Sequence, residues 1–146
     1  MRTLSREQIL GLIPHAGAMC LLDAAERWNT TEIICLSTRY ASPDNPLRQA
    51  DGTLGSASLI EIAAQAMALH GRLSAPRNAP PRPGLLVSLR DVMLYTGMLD
   101  GTHGPLRITV KRSLGDSRGA SYVFEVDASG QRLAEGRAMV LFEIPE

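Results

Sequence analysis

The chain has 146 residues, with 15 basic against 15 acidic side chains and a formal net charge of +0. That length suits a single domain with one core, spanning 1–146, and the balanced charge excludes a general electrostatic pull toward nucleic acid or a membrane surface. Lys111 is the only lysine; the two cysteines, Cys20 and Cys35, lie in apolar runs without metal-ligand spacing and read as buried thiols of a reducing compartment.

The first residues, Met1 to Glu7, carry no apolar signal region, which sets a cytoplasmic expectation. Residues 5–12 read as a short helix, with Ser5 as N-cap and Ile9, Leu10 and Leu12 on one face. Ile13-Pro14-His15-Ala16-Gly17 breaks it. Met19 to Trp28 reads as a strand, Asn29-Thr30-Thr31 as a turn, and Glu32 to Tyr40 as the returning strand. Ala41 to Gly55 carries Pro43, Pro46, Gly52 and Gly55 and reads as a loop.

Ser56 to Gly71 is a helix without a wet side. Leu59, Ile60, Ile62, Ala63, Ala64, Ala66, Met67, Ala68 and Leu69 cover its whole circumference, and such a helix belongs inside something. It is too short and too often interrupted by polar residues to span a membrane. Ser56 or Ser58 is its N-cap candidate and Gly71 its stop. Glu61 and Gln65 lie four apart on one face, and a carboxylate inside an apolar helix needs a partner or a purpose. Two readings of Glu61 stand at this point. Ser58-Leu59-Ile60-Glu61 matches a capping box; alternatively Glu61 is a reacting acid whose pKa desolvation raises.

Ser74 to Pro83, with four prolines, reads as a stiff connector. Arg72, Arg77 and Arg82 form a basic group around it, either a docking patch for an acidic partner or a solvated loop. Strands are expected at Leu85–Tyr95, Leu106–Leu114, Ala120–Ala128 and Leu133–Ile144, separated by glycine turns. One long apolar helix among hairpin-spaced strands gives an α+β class, a curved antiparallel sheet wrapped around that helix. An open edge of such a sheet calls for a dimer that continues it. His70 at the helix end and His103 in a glycine turn read as structural and solvated, respectively.

Ile9-Leu10-Gly11-Leu12-Ile13-Pro14-His15, followed by Leu21-Leu22-Asp23, resembles the opening of the β-hydroxyacyl-acyl carrier protein dehydratases. Leu59-Ile60-Glu61-Ile62-Ala63-Ala64-Gln65 resembles their helix motif, and Gly84-Leu85-Leu86 and Glu135-Gly136-Arg137-Ala138 fall where that family has similar segments. Cys20-Leu21-Leu22-Asp23 and Ala64 to Gly71 are similar to the dehydratase-like proteins of bacterial aryl-polyene gene clusters. The resemblance covers nearly the whole chain and implies a hotdog fold. It implies dehydration of 3-hydroxyacyl thioesters in fatty-acid-like or polyene synthesis, with an acyl carrier protein bearing a phosphopantetheine-linked acyl chain as partner. A homodimer, or a heterodimer with another hotdog subunit, goes with it.

One departure stands out. Those enzymes carry a catalytic histidine shortly before the helix, whereas Asp44 to Gly55 here contains none. The resemblance therefore implies Glu61 and Gln65 as site residues and His15 as a family position. Removal of water needs a base, an acid and donors for the thioester oxygen. Glu61 is assigned the hydroxyl, His15 the role of base with Asp44 as fallback, and the Gly55, Ser56 and Ala57 amides at the helix start the carbonyl. No metal or redox cofactor is implied, since there is no ligand cluster and no phosphate-binding glycine loop. Two other readings remain: a non-catalytic hotdog subunit that pairs with an active dehydratase, and an acyl thioesterase.

Overall fold

Residues 119–128 alternate strictly. Ala120, Tyr122, Phe124, Val126 and Ala128 are buried, while Ser121, Val123, Glu125 and Asp127 face outward. A strand of period two offers one face to a core, and the neighbouring strands repeat the pattern. The computed structural model describes residues 3–75, 84–99, 103–116 and 118–142. The strands are β1 (Leu4–Ser5), β2 (Ala24–Trp28), β3 (Glu32–Ser37), β4 (Leu54–Gly55), β5 (Gly84–Leu94), β6 (Met98–Leu99), β7 (Leu106–Gly115), β8 (Gly119–Ala128) and β9 (Gln131–Phe142). Seven of them form one antiparallel sheet in the order β1-β2-β3-β7-β8-β9-β5, and β4 pairs with β6. Ser129 and Gly130, both with positive φ (50° and 79°), make the tight turn between β8 and β9.

The long helix α2 (Ser58–Ser74) packs against β3, β7 and β8. No residue from Ser58 to Leu73 is exposed, so the all-round apolar pattern does mark a wrapped helix. With the curved sheet around it, this is the α+β hotdog arrangement that the resemblance implied. The helix ends differ from expectation. Ala57 is the N-cap and makes no side-chain cap bond, and the helix runs past Gly71 to Ser74. Ser58 turns its hydroxyl back to donate to the Gly55 carbonyl at 2.7 Å. No Ser58–Glu61 capping box forms. A cap is worth about 1 kcal/mol. Burying one Leu or Ile side chain is worth about 1.5–3 kcal/mol. Leu59, Ile62 and Leu69, all fully buried, therefore outweigh a missing cap.

The N-terminal part follows the reading with shifted ends. Helix α1 (Arg6–Leu10) is capped by Ser5, whose hydroxyl accepts the Gln8 N–H while the Gln8 side chain accepts the Ser5 N–H. The strand expected from Met19 begins only at Ala24; Gly17–Met19 is a 3-10 turn and residues 20–23 lie outside the ladder. The return strand stops at Ser37 because Arg39–Ala41 forms another 3-10 turn. Most of the proline connector, with Arg77 and Arg82, lies outside the described residues, as does Ile144.

Both cysteines are free and fully buried, and burial, reinforced by the neighbouring Cys20, pushes the Cys35 thiol up to about 12. His70 is structural, as read. It is fully buried, its Nε2 lies 3.0 Å from the Asn29 carbonyl and its Nδ1 lies 3.1 Å from the Tyr122 hydroxyl. A carbonyl can only accept, so Nε2 carries the proton and Nδ1 accepts from the tyrosine. The ring pins the end of α2 to the β2–β3 turn and to β8. Burial holds its pKa below the usual imidazole value of 6.5, the nearby Arg112 charge adds to that, and the Asn29 bond opposes it. The unfolded chain thus takes up the proton first as pH falls. Thermal stability should drop as pH goes down from 6.5 toward the folded value, and a His70→Gln variant followed by circular dichroism should lose that part of the slope.

Candidate active site

His15 comes from the loop that ends α1. Pro14 has no N–H to continue a helix, Ala16 is extended, and Gly17 adopts a positive φ of 55° that opens the 3-10 turn. Glu61 comes from the first turn of α2, where the helix dipole favours an anion. The loop sets His15 Nε2 against Glu61 Oε1 at 3.2 Å, with the two side chains 24% and 36% exposed. Sequence residues 46 apart thus meet in one chain. An Nε2–H donated to the carboxylate leaves Nδ1 with a lone pair. That atom is buried and has no hydrogen-bond partner among the described residues.

Gln65, one turn beyond Glu61, is fully buried. Its Nε2 donates to the Met19 carbonyl at 2.7 Å and, at 3.4 Å, to Glu61 Oε1, while its Oε1 accepts the Leu21 N–H at 2.9 Å. It therefore joins α2, the carboxylate and the segment that follows His15. The expected upward shift of Glu61 is corrected here. The His15 bond lowers its pKa below the ordinary carboxylate value, burial opposes this, and the Gln65 bond and the His15 charge add to the lowering. At neutral pH Glu61 is a carboxylate bonded to His15. Nor is it enclosed within a single chain, since about a third of the side chain is exposed.

The three small residues at the helix start fare unequally. The Ser56 N–H donates to the Gly97 carbonyl at 3.1 Å and is already used. Gly55 pairs with Met98 in the short β4–β6 ladder, and Ala57 is exposed at the N-cap. Asp44, the fallback base, lines a cleft of about 240 Å³ with Arg6, Gly17, Ala18, Arg39, Ser42 and Asn45. His103 is half-buried, and its carbonyl accepts the Ser129 hydroxyl. No group of three or more His, Cys, Asp or Glu able to hold a metal occurs among the described residues. Nor is any helix there long and apolar enough to cross a membrane.

Two arginines escaped the sequence reading. Arg6 donates to the carbonyls of Gly17, Cys20 and Leu22, and Arg48 to those of Ala41, Ser42 and Gly52. Each guanidinium closes an irregular loop by satisfying its carbonyls. Asp23 acts likewise on the next turn, accepting the Thr38 and Arg39 N–H groups and the Thr38 hydroxyl. An arginine that binds main chain leaves no spacing signature, so nothing in the local sequence pointed to either one.

Comparison with the curated proteins finds no match. Among solved structures, the chain is similar to the dehydratase heterocomplex ApeI:P from Xenorhabdus doucetiae, at 24% identity and a TM-score of 0.82, over 93% of this chain and 91% of that one. It also resembles a thioesterase from Haemophilus influenzae, at 10% identity and a TM-score of 0.65, over 97% of this chain and 92% of that one. A mutant thioesterase from Pseudomonas aeruginosa matches at 10% identity and a TM-score of 0.66, over 97% and 95% of the two chains. Likeness at those identities speaks for the fold alone. The family comparison speaks for more: residues 7–143, from α1 to the end of the sheet, match one family model, that of the ApeP dehydratases. This chain, with Pro14-His15 and Glu61…Gln65 brought together at one site, belongs to the ApeP-like family.

Proposed function

We propose that this chain removes water from 3-hydroxyacyl thioesters carried on an acyl carrier protein, giving trans-2-enoyl thioesters in fatty-acid-like or polyene biosynthesis. The observation that carries the reading is the 3.2 Å contact between His15 and Glu61 in a chain of a dehydratase family. The pair acts as one unit. It accepts the proton from C2 of the substrate as the C2–C3 double bond forms. It then delivers a proton to the C3 hydroxyl, which leaves as water, so the pair ends with the proton count it began with. His15 is the base of the pair. Glu61, already ionised, cannot hold a standing proton for the hydroxyl; it relays the one it shares with His15. The free end of α2 at Ala57 is the remaining donor end for the thioester oxygen.

A partner goes with this reading. Strand β5 is an edge strand of the sheet, and it and its surroundings expose Val87, Leu89, Met93, Tyr95, Met139 and Leu141. A second hotdog chain adding its own edge there would cover these side chains. The relative from Xenorhabdus is part of a heterocomplex, and the absence of histidine from Asp44 to Gly55 favours a second reading: a subunit whose partner supplies the base. One assay separates them. The purified chain, alone and mixed with a hotdog dehydratase partner, is given a 3-hydroxyacyl-acyl carrier protein, and enoyl thioester is followed by mass spectrometry. Turnover that requires His15 supports the proposal. Turnover only in the mixture and indifferent to His15 supports the partner-subunit reading. Release of free thiol without enoyl product would indicate a thioesterase.

A further inference from the structure

From Gly17 to Leu22 the backbone follows no strand, yet its polar groups are held by side chains of three elements. Gln65 of α2 takes the Met19 carbonyl and the Leu21 N–H. Arg6 of α1 takes the Cys20 carbonyl at 2.6 Å and the Leu22 carbonyl at 3.1 Å through Nη1, and the Gly17 carbonyl at 3.0 Å through Nη2. Ser37 of β3 donates to the Leu21 carbonyl. The same Gly17 carbonyl closes the 3-10 turn by accepting the Cys20 N–H. That turn starts two residues after His15. Arg6 faces carbonyl oxygens here, and among the described residues no carboxylate pairs with it. Its planar fork is suited to three acceptors in fixed directions, a task that a single ammonium on a flexible stem does poorly.

We infer that Arg6 is a positioning residue for the His15–Glu61 pair: by fixing Gly17 to Leu22 against α1, it keeps His15 within bonding distance of a carboxylate that Gln65 ties to the same segment. The inference rests on the proposed reading of that pair as the reacting groups. The contact has little slack. At 3.2 Å it is near the long end of a hydrogen bond, so a shift of a few tenths of an ångström breaks it. A misplacement of ~1 Å at a reacting group costs about a hundredfold in rate.

The test uses Arg6→Ala and Arg6→Lys chains in whichever assembly dehydrates the 3-hydroxyacyl-acyl carrier protein. Arg6→Ala should lower kcat about tenfold to a hundredfold with KM little changed. Arg6→Lys should fall between it and the parent. Guanidinium chloride below denaturing concentration should restore part of the Arg6→Ala rate and leave the parent unimproved. A second readout needs no turnover. The Glu61 carboxyl carbon, titrated by NMR, should move its midpoint up in Arg6→Ala, because the His15 bond that lowers it is lost; Gln65 is the other group facing it. If Arg6→Ala does not fold, Arg6→Lys carries both measurements. A parent-like kcat together with an unmoved Glu61 titration overturns the inference. So does a moved titration with parent-like kcat where His15→Ala is inactive. If His15→Ala turns over like the parent, the reading of the pair fails instead, and the titration alone decides whether Arg6 positions it.

Discussion

Replacing His15 by alanine is expected to cut dehydration of a 3-hydroxyacyl thioester by about a hundredfold to ten-thousandfold, the range of a lost general base. Glu61→Gln should fall in the same range. It keeps the size of the side chain and an oxygen for His15, but it cannot relay a proton. Groups that work as a unit are not additive, so the double variant should be no slower than the worse single one. Steady-state rates of enoyl product formation, with circular dichroism to confirm folding, check all three. A Glu61→Gln chain with parental kcat would remove the relay role. The pH dependence has a definite sign. Glu61 has a folded pKa below its ordinary 4.5, so its bond to His15 contributes stability above the ordinary value and loses it as pH falls through the folded one. Glu61→Gln should flatten the acid end of the stability profile, and the His70 slope nearer neutrality should remain.

The second large effect concerns Gln65. Its side chain is fully buried and answers two main-chain groups, the Met19 carbonyl and the Leu21 N–H. Gln65→Leu fills similar space and leaves both unpaired. An unpaired buried polar group costs about 1–3 kcal/mol, so the pair together costs about 2–6 kcal/mol. Typical domain stability is only about 5–15 kcal/mol. Urea unfolding should show a midpoint shifted far down, and the folded remainder should turn over slowly because the segment after His15 is released. Gln65→Glu should also be poor, since it sets a second carboxylate beside Glu61 and against the Met19 carbonyl. A midpoint that barely moves in Gln65→Leu would mean that the segment holds its shape without this side chain.

How much of this was legible depended on whether the signal was periodic. The alternation of residues 120–128 and the apolar circumference of residues 58–69 reflect burial, and burial is what the sheet and α2 consist of. The motifs Pro14-His15 and Glu61…Gln65 also pointed to residues that the fold brings together. The failures share a cause. Met19 to Leu22 is as apolar as a strand, but its hydrogen bonds go to Arg6, Gln65 and Ser37, and side chains distant in sequence leave no local pattern. The Ser58–Glu61 spacing is that of a capping box, yet the serine hydroxyl had a nearer carbonyl and the glutamate a better partner in His15. The direction of the Glu61 shift could not be read because it is a contest between burial and one bond, and only the fold supplies the bond. The two-residue strands β1, β4 and β6 are too short to show any period.

The rim formed by β5 has one more consequence. Among the described residues no strand pairs with the outer side of its eleven residues, which carry oily side chains and a left-handed kink at Asp91 partway down. Bare backbone of that kind recruits any extended peptide, including copies of itself stacked in the wrong register. The kink limits how long a misaligned ladder can grow, but it does not make the rim safe. Under the proposed pairing, polypeptide made in excess of its partner would keep that rim bare and be prone to clumping.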